Sequence, residues 1–320
     1  HAATGAMTRA VVFAYHDVGV RCLQTLIGGG VDVGLVVSHR DNPAEAIWFE
    51  SVEEIAHRHG IAVVSPDNPN LQTIVDRVAA MRPEFLFSFY YRHMLGAGIL
   101  RCATRGALNM HGSLLPKYRG RVPVNWAVLH GETQTGATLH YMEEKPDAGD
   151  LVDQQAVPIL PDDTALDVFR KVTVAAEMVL HRSLPALLNG NAPRRAQDLS
   201  LGSYFGGRQP KDGLIDWHRP ASAVHNLVRA VAPPYPGAFT TLLGKPARVL
   251  RTLAQPGRRG PHAQPTLYCE AGGCYAQCGD GAIVRIVELE LDGTLLAGGQ
   301  TCSTVGTVPI KLPAITLEKA

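Results

Sequence analysis

The sequence has little charge and almost no excess of either sign. Charged residues fill 18% of its 320 positions, with 30 Lys and Arg against 29 Asp and Glu, a formal net charge of +1 at pH 7. That balance argues against a protein that holds nucleic acid chiefly through the phosphate backbone, which needs a basic face. No apolar run approaches the roughly 20 residues that span a bilayer, so no membrane insertion is expected, and no signal peptide opens the chain. His1–Ala6 reads as a tag remnant ahead of a start at Met7. Cysteine is sparse, with six residues scattered at 22, 102, 269, 274, 278 and 302. They do not read as a disulfide framework, and a reducing cytoplasm is the expected setting. Cys269, Cys274 and Cys278 are spaced C-x4-C-x3-C, yet a fourth ligand at suitable spacing is missing, so no metal site is read there. Gly28-Gly29-Gly30 lacks the spacing of a dinucleotide loop.

What is present is apolar and ordered. Hydrophobic residues make up 46% of the chain, enough for a sizeable core. In the first half, short apolar runs alternate with helical patterns. Ala10–Tyr15, Val31–Ser38, Ile61–Ser65, Phe85–Tyr91 and Ala107–His111 read as strands. Helices are expected after Gly19 to Ile27, around Trp48–His59, around Leu71–Met81 and between the last two strands. Apolar runs of this length between helices indicate buried parallel strands with right-handed crossovers. The fold class is therefore α/β, a Rossmann-like open and mostly parallel sheet. A strand pair, Ala137–Met142 and Leu151–Pro158, then leads to one long helix from Thr164 to Leu188.

Beyond Asn189 the texture changes. Residues 190–195 read as a linker, Val224–Val231 as a short helix, and the chain from Pro233 onward as short strands with Gly-rich turns. A smaller β-barrel (OB-like) domain is expected there. The division reads as 7–202 for the catalytic domain and 203–320 for the β-rich one. Residues 1–199 carry 18 basic and 21 acidic groups (−3), and residues 200–320 carry 12 and 8 (+4). That mild basic bias suits an anionic substrate, although a solvated surface explains it equally well.

The densest polar signal runs from Asn109 to Arg121, directly after the fifth strand. Ligands of open α/β sheets bind outside the carboxyl ends of strands. Asn109 and His111 are two apart, so in an extended segment they project to one face. An amide donor beside an imidazole suits a reaction that develops an oxyanion and moves a proton. A buried pair that merely satisfies loop backbone has the same appearance. A second cluster, Pro146-Asp147-Ala148-Gly149-Asp150, lies in a turn, where Asp commonly makes an Asx-turn. A carboxylate brought to His111 would fix its tautomer, but spacing alone does not connect them.

Asn109-Met-His111-Gly-Ser-Leu-Leu-Pro116 with Asp147-Ala-Gly149 downstream resembles the signature of the folate-dependent formyltransferases. The likeness continues through Phe87–His93, Lys117–Arg121, Val124–Trp126, Gly131–Gly136, Phe205–Arg208, Asp216–Ser222, His225–Val231 and Tyr235–Phe239. It covers about residue 8 to about residue 250 and is loose over the remainder. Within the family it is nearest the formyltransferase domain of the bifunctional polymyxin-resistance proteins, which formylates UDP-4-amino-4-deoxy-L-arabinose. The partner dehydrogenase/decarboxylase half has no counterpart in this sequence.

The resemblance implies transfer of a formyl group from N10-formyltetrahydrofolate to the 4-amino group of a UDP- or dTDP-linked amino sugar, without metal. It gives Asn109 the oxyanion, His111 the general acid/base work and Asp147 the tuning of His111. His93, Met94, Leu95, Glu143, Glu144, Lys145 and Pro146 fall where the family holds folate, and Arg121 matches a binding arginine. It also implies a homodimer and a part in lipopolysaccharide modification and antibiotic resistance. The rival within the superfamily is methionyl-tRNA formyltransferase, which needs a more basic groove than +4 provides. Outside it, the rivals are a non-catalytic folate-binding protein and a metal module built on the cysteines.

Overall fold

The computed structural model describes residues 6–315, so the tag reading of the first residues lies outside it except for Ala6. The first strand, β1 (Arg9–Ala14), is followed by α1 (His16–Gly28), β2 (Asp32–Val37), α2 (Val52–Arg58), β3 (Val63–Val64), α3 (Gln72–Ala80), β4 (Phe85–Phe89), α4 (Ala97–Leu100) and β5 (Gly106–His111). Then come β6 (Arg119–Gly120), α5 (Pro123–Leu129), β7 (Gln134–Tyr141), β8 (Leu151–Pro158), α6 (Ala165–Asn189) and β9 (Tyr204–Phe205). Seven strands form one sheet in the order β3-β2-β1-β4-β5-β7-β8. The pairs among β1 to β5 are parallel, and β7 runs antiparallel to β5. The Rossmann-like, mostly parallel expectation holds.

The pattern of burial explains the parallel part. In β4 all five residues are buried, and β1 is exposed only at Arg9, because helices cover both faces of such strands. Val11, Phe13, Leu35, Leu86 and Ile99 form one core beneath the sheet. The second expected helix starts later than its apolar pattern suggests. Ser51 accepts a hydrogen bond from the Glu54 N–H and caps α2 at that point. Trp48 and Phe49 instead pack around the His16 ring ahead of the helix.

The second sheet contains β10 (Ala238–Leu242), β11 (Lys245–Arg259), β12 (Thr266–Glu270), β13 (Gly273–Gln277), β14 (Ala282–Leu291), β15 (Thr294–Ala297) and β16 (Ile310–Lys311). Its order is β10-β11-β14-β13-β12-β16, with β15 on β14, and every described pair is antiparallel. Register shifts along β11 bend this long strand, so the sheet curls as a half-barrel. Two helices accompany it, α7 (Ala221–Val231) and α8 (Gln300–Val305). Trp217, Val228, Val249 and Leu289 are buried in its core. By contacts the chain forms two compact units. Among the described residues, one holds 6–123, 135–157 and 170–206, and the other holds 124–134, 158–169 and 207–315.

The cysteines correct the sequence reading. Cys269 on β12 and Cys302 on α8 form a disulfide across 33 positions of sequence. The Cys274 sulfur lies with them, all three within 4.8 Å of one another, while Cys278 is not in the group. The spacing of Cys269, Cys274 and Cys278 therefore misidentifies the cluster. Strand pairing sets Cys274 opposite Cys269, and a separate helix supplies Cys302. With two sulfurs bonded to each other, the trio offers a single thiol. No helix among the described residues is long and apolar enough to cross a membrane.

Candidate active site

The site is built on the antiparallel seam between β5 and β7. Asn109 pairs with His140 across the ladder, and His111 pairs with Thr138. Residues two apart on a strand share a face, so Asn109, His111, Thr138 and His140 form one block of polar side chains. Asn109 is half-buried, and His111 and His140 are buried. A buried polar group must find a partner, and each of these does.

The hydrogen bonds fix the rings. The His140 Nδ1 lies 2.9 Å from the Tyr141 carbonyl, so this nitrogen carries the hydrogen and donates. Its Nε2 then presents a lone pair and accepts from the Asn109 amide at 3.1 Å. In the same way the His111 Nε2 donates to the Tyr118 carbonyl at 2.7 Å. That leaves the His111 Nδ1 facing Asp147 Oδ1 at 3.4 Å, with the His140 Nε2 at 3.6 Å from the same oxygen.

The loop after β5 delivers the Tyr118 carbonyl through a chain of buried hydroxyls. Ser113 Oγ donates to the Lys117 carbonyl at 2.6 Å, and Thr138 Oγ1 donates to the Ser113 carbonyl at 2.6 Å. Tyr118 N–H donates to Ser203 Oγ at 2.9 Å. Each bond removes an orphan polar group and a degree of freedom from the loop.

Asp147 is positioned by its backbone. Its φ of 52° lies in the left-handed region, which Asp tolerates better than most residues. Gly149 lets the turn close, since a Cβ there would meet the Tyr141 carbonyl oxygen at 1.8 Å. Gln197 clamps the turn by donating to the Asp147 and Gly149 carbonyls at 2.9 and 2.7 Å. Gly120, at φ 103° and with no room for a Cβ against Phe205, donates its N–H to Asp147 Oδ2 at 2.9 Å. Burial alone pushes the Asp147 carboxyl up. The opposing influence of His111, His140 and the Gly120 N–H is stronger, and it holds the group well below the usual carboxylate range. Asp147 is thus a fixed anion, bonded by the Gly120 N–H and flanked by two imidazole rings.

A family model described as formyl transferase matches residues 10–184, and the model of its C-terminal domain matches residues 208–301. The chain belongs to the formyl transferase family. It is accordingly an enzyme. Solved structures share the fold. An N-formyltransferase from Helicobacter canadensis, crystallised with folinic acid and dTDP-3-aminofucose, matches at TM-score 0.66 and 17% identity, over 88% of this chain and 98% of that one. A 4-N formyltransferase from Francisella tularensis matches at TM-score 0.64 and 20% identity, over 78% of this chain and all (100%) of that one. HypX from Aquifex aeolicus, solved with tetrahydrofolic acid, matches at TM-score 0.63 and 17% identity, and 98% of this chain covers 50% of it.

In this formyl transferase the structure brings Asn109, His111 and Asp147 together, a proximity that the sequence alone left open for Asp147 and that the resemblance implied. The residues suggested for folate are distributed differently. His93 and Met94 are exposed on the loop after β4, whose neighbour in the sheet is β5. The His93 ring packs edge-on against His39 at 4.9 Å, and the Met94 carbonyl accepts from Asn70 at 2.9 Å. Leu95 points its side chain into the core, so only its backbone is open to a ligand. Glu143, Glu144 and Lys145 are exposed on the turn after β7, with Pro146 half-buried, and Arg121 is exposed just beyond β6. Sequence reasoning passed over His140. Its signal was the alternation of Thr138 and His140 on one face of a predicted strand.

Proposed function

We propose that this enzyme transfers a formyl group from N10-formyltetrahydrofolate to the amino group of a nucleotide-linked sugar, with UDP-4-amino-4-deoxy-L-arabinose as the favoured acceptor. The supporting observation is the convergence of Asn109, His111 and Asp147 at the carboxyl end of β5. The dTDP-3-aminofucose crystallised with the Helicobacter relative supports the class of nucleotide-linked amino sugars, and the choice of UDP-4-amino-4-deoxy-L-arabinose rests on the sequence motifs. The residues fit a folate: exposed Met94 and the His93 ring offer apolar and ring surface, and the Glu143–Lys145 turn and Arg121 offer polar groups. The bound folate supplies an activated formyl carbon to the amine.

Asn109 has one N–H committed to His140 and a second to donate to the oxygen that becomes an oxyanion on attack. The His111 Nδ1 is the nitrogen placed to receive the amine proton, because Nε2 is tied to Tyr118. Asp147 stabilises the imidazolium so formed, while the Tyr118 carbonyl holds the neutral ring in the Nε2–H tautomer. The proton then returns from Nδ1 to the departing nitrogen. With this function go a homodimer, a role in lipopolysaccharide modification and antibiotic resistance, and a cytoplasmic setting, in which the Cys269–Cys302 pair would be held reduced.

The test is a panel of UDP- and dTDP-linked amino sugars incubated with the formyl donor, with release of tetrahydrofolate followed. Turnover of a 4-amino sugar nucleotide supports the proposal. Formylation of methionyl-tRNA alone, or folate binding with no acceptor turned over, overturns it.

A further inference from the structure

The C-terminal unit has a pocket of its own, about 370 Å³, walled by Trp126, Leu129, Leu214 and Leu227 and lined by Arg208 and Arg219 together with Asp212 and Asp216. Arg208 is the unusual group in it. Its guanidinium carbon sits 4.7 Å over the Trp126 ring, and Nη2 donates to the Asp212 carbonyl at 3.2 Å. Its Nε is buried with no hydrogen-bond partner. Both lining carboxylates are engaged with backbone N–H groups rather than with the guanidiniums. Asp212 accepts from the Gln209 N–H at 2.7 Å, and Asp216 accepts from the His218 N–H at 3.0 Å. Burial draws the Arg208 guanidinium below its usual value, and Asp212 offsets this only in part. A buried donor without a partner gains when an acceptor reaches it, and the Arg208 Nε is such a donor.

We infer that this pocket binds the diphosphate of the nucleotide-linked substrate, with Arg208 as its principal donor and Arg219 as the second charge. The inference rests on the reading of the acceptor as a nucleotide sugar. Three features favour a diphosphate. The two guanidiniums are not paired with the lining carboxylates, which are bound to backbone N–H groups, so both can turn to one anionic group, and the planar fork of Arg fits phosphate oxygens. Stacking on Trp126 preorganises Arg208, so little freedom is lost on binding. The volume lies at the small end of the roughly 300–1,000 Å³ common for small-molecule sites. It has room for a diphosphate and part of a ribose against the apolar wall. The same anion chemistry could come from a folate carboxylate, which the experiment separates.

The full-length protein is titrated with inorganic pyrophosphate, UDP, dTDP and 5-formyltetrahydrofolate, and binding is read by calorimetry. Arg208→Gln should weaken pyrophosphate and both nucleotides about 10- to 100-fold and leave folate unchanged. Arg208→Lys keeps the charge without the fork and should fall between. KM for the amino-sugar nucleotide should rise with the same factor, while kcat at saturation holds. Arg219→Gln, on an exposed side chain, should weaken pyrophosphate at least about threefold, and it keeps the test open if the Arg208 variants fail to fold. Unchanged pyrophosphate affinity in folded variants overturns the inference, as does a loss confined to folate. Arg208-dependent binding of UDP or dTDP without turnover of any amino sugar refutes the substrate reading and leaves the pocket. Turnover with an unmoved KM in Arg208→Gln refutes the pocket and leaves the substrate reading.

Discussion

Asn109 on β5 and His140 on β7 face each other across an antiparallel ladder, the amide nitrogen 3.1 Å from the imidazole Nε2. His140 is itself held through Nδ1 by the Tyr141 carbonyl, so its lone pair points one way only. The plane of the Asn109 amide follows from that lone pair. One N–H is taken, and the direction of the other is set before substrate arrives. Such preorganisation separates an oxyanion donor from an ordinary buried amide.

Replacing Asn109 with Ala removes the donor. Turnover should fall roughly 100- to 1,000-fold while folate affinity changes little. Replacing His140 with Phe keeps the bulk but frees the Asn109 amide to rotate, so kcat should fall by a smaller factor with KM for folate held. Single-turnover rates and equilibrium folate binding on both variants check this. Near-normal turnover in the Asn109 variant would remove its assigned role.

His111 and Asp147 act through one contact, Nδ1 to Oδ1 at 3.4 Å. Asp147→Asn keeps the shape and removes the charge, so kcat should fall about 100-fold or more. His111→Ala should cost more, and the double variant should cost little beyond His111→Ala alone, because groups acting as a unit are not additive. Multiplied losses in the double variant would show that Asp147 serves only its own turn.

Much of this was legible in the sequence, for identifiable reasons. The apolar runs that became β1, β2, β4 and β5 are strands buried on both faces, where composition and length suffice. The Asn109 and His111 pair was legible because two-residue spacing on a strand is itself geometry. Asp147 was reached only by resemblance, since its approach to His111 depends on Gly120, Gly149 and Gln197 shaping a turn. His140 stayed hidden because antiparallel register, which sets it opposite Asn109, is not written in linear spacing. The Cys269–Cys302 pair was hidden for the same kind of reason, as α8 and β12 meet only in three dimensions.

That pair gives a direct count. Titrating thiols in denaturant without reductant should give four, from Cys22, Cys102, Cys274 and Cys278. After reduction all six cysteines should react. Closing a loop of 33 positions stabilises the fold by about 3–4 kcal/mol in the chain-entropy account. Cys302→Ser should therefore lower the melting temperature and abolish its sensitivity to reductant. Six thiols without reductant would show that the bond does not form.

His16 should make stability depend on pH. Its ring is buried, stacked 3.9 Å from Phe49, and its Nδ1 accepts the Asp17 N–H at 2.9 Å, which requires a neutral ring on that side. Burial first, and the charge of Arg92 second, lower its pKa from 6.5 to about 3. In the unfolded chain the imidazole takes a proton near 6.5, whereas in the folded chain it resists until near 3. Between those values the unfolded state binds more protons, so the stability present above 6.5 is lost as pH falls. The loss between pH 7 and pH 5 should be about 2 kcal/mol. His16→Asn suits the φ of 67° at this position and removes the titration. It should be less stable at pH 7 and should lose about 2 kcal/mol less than the parent on acidification to pH 5. Urea unfolding at both pH values measures this, and parallel losses in parent and variant would place the acid sensitivity elsewhere.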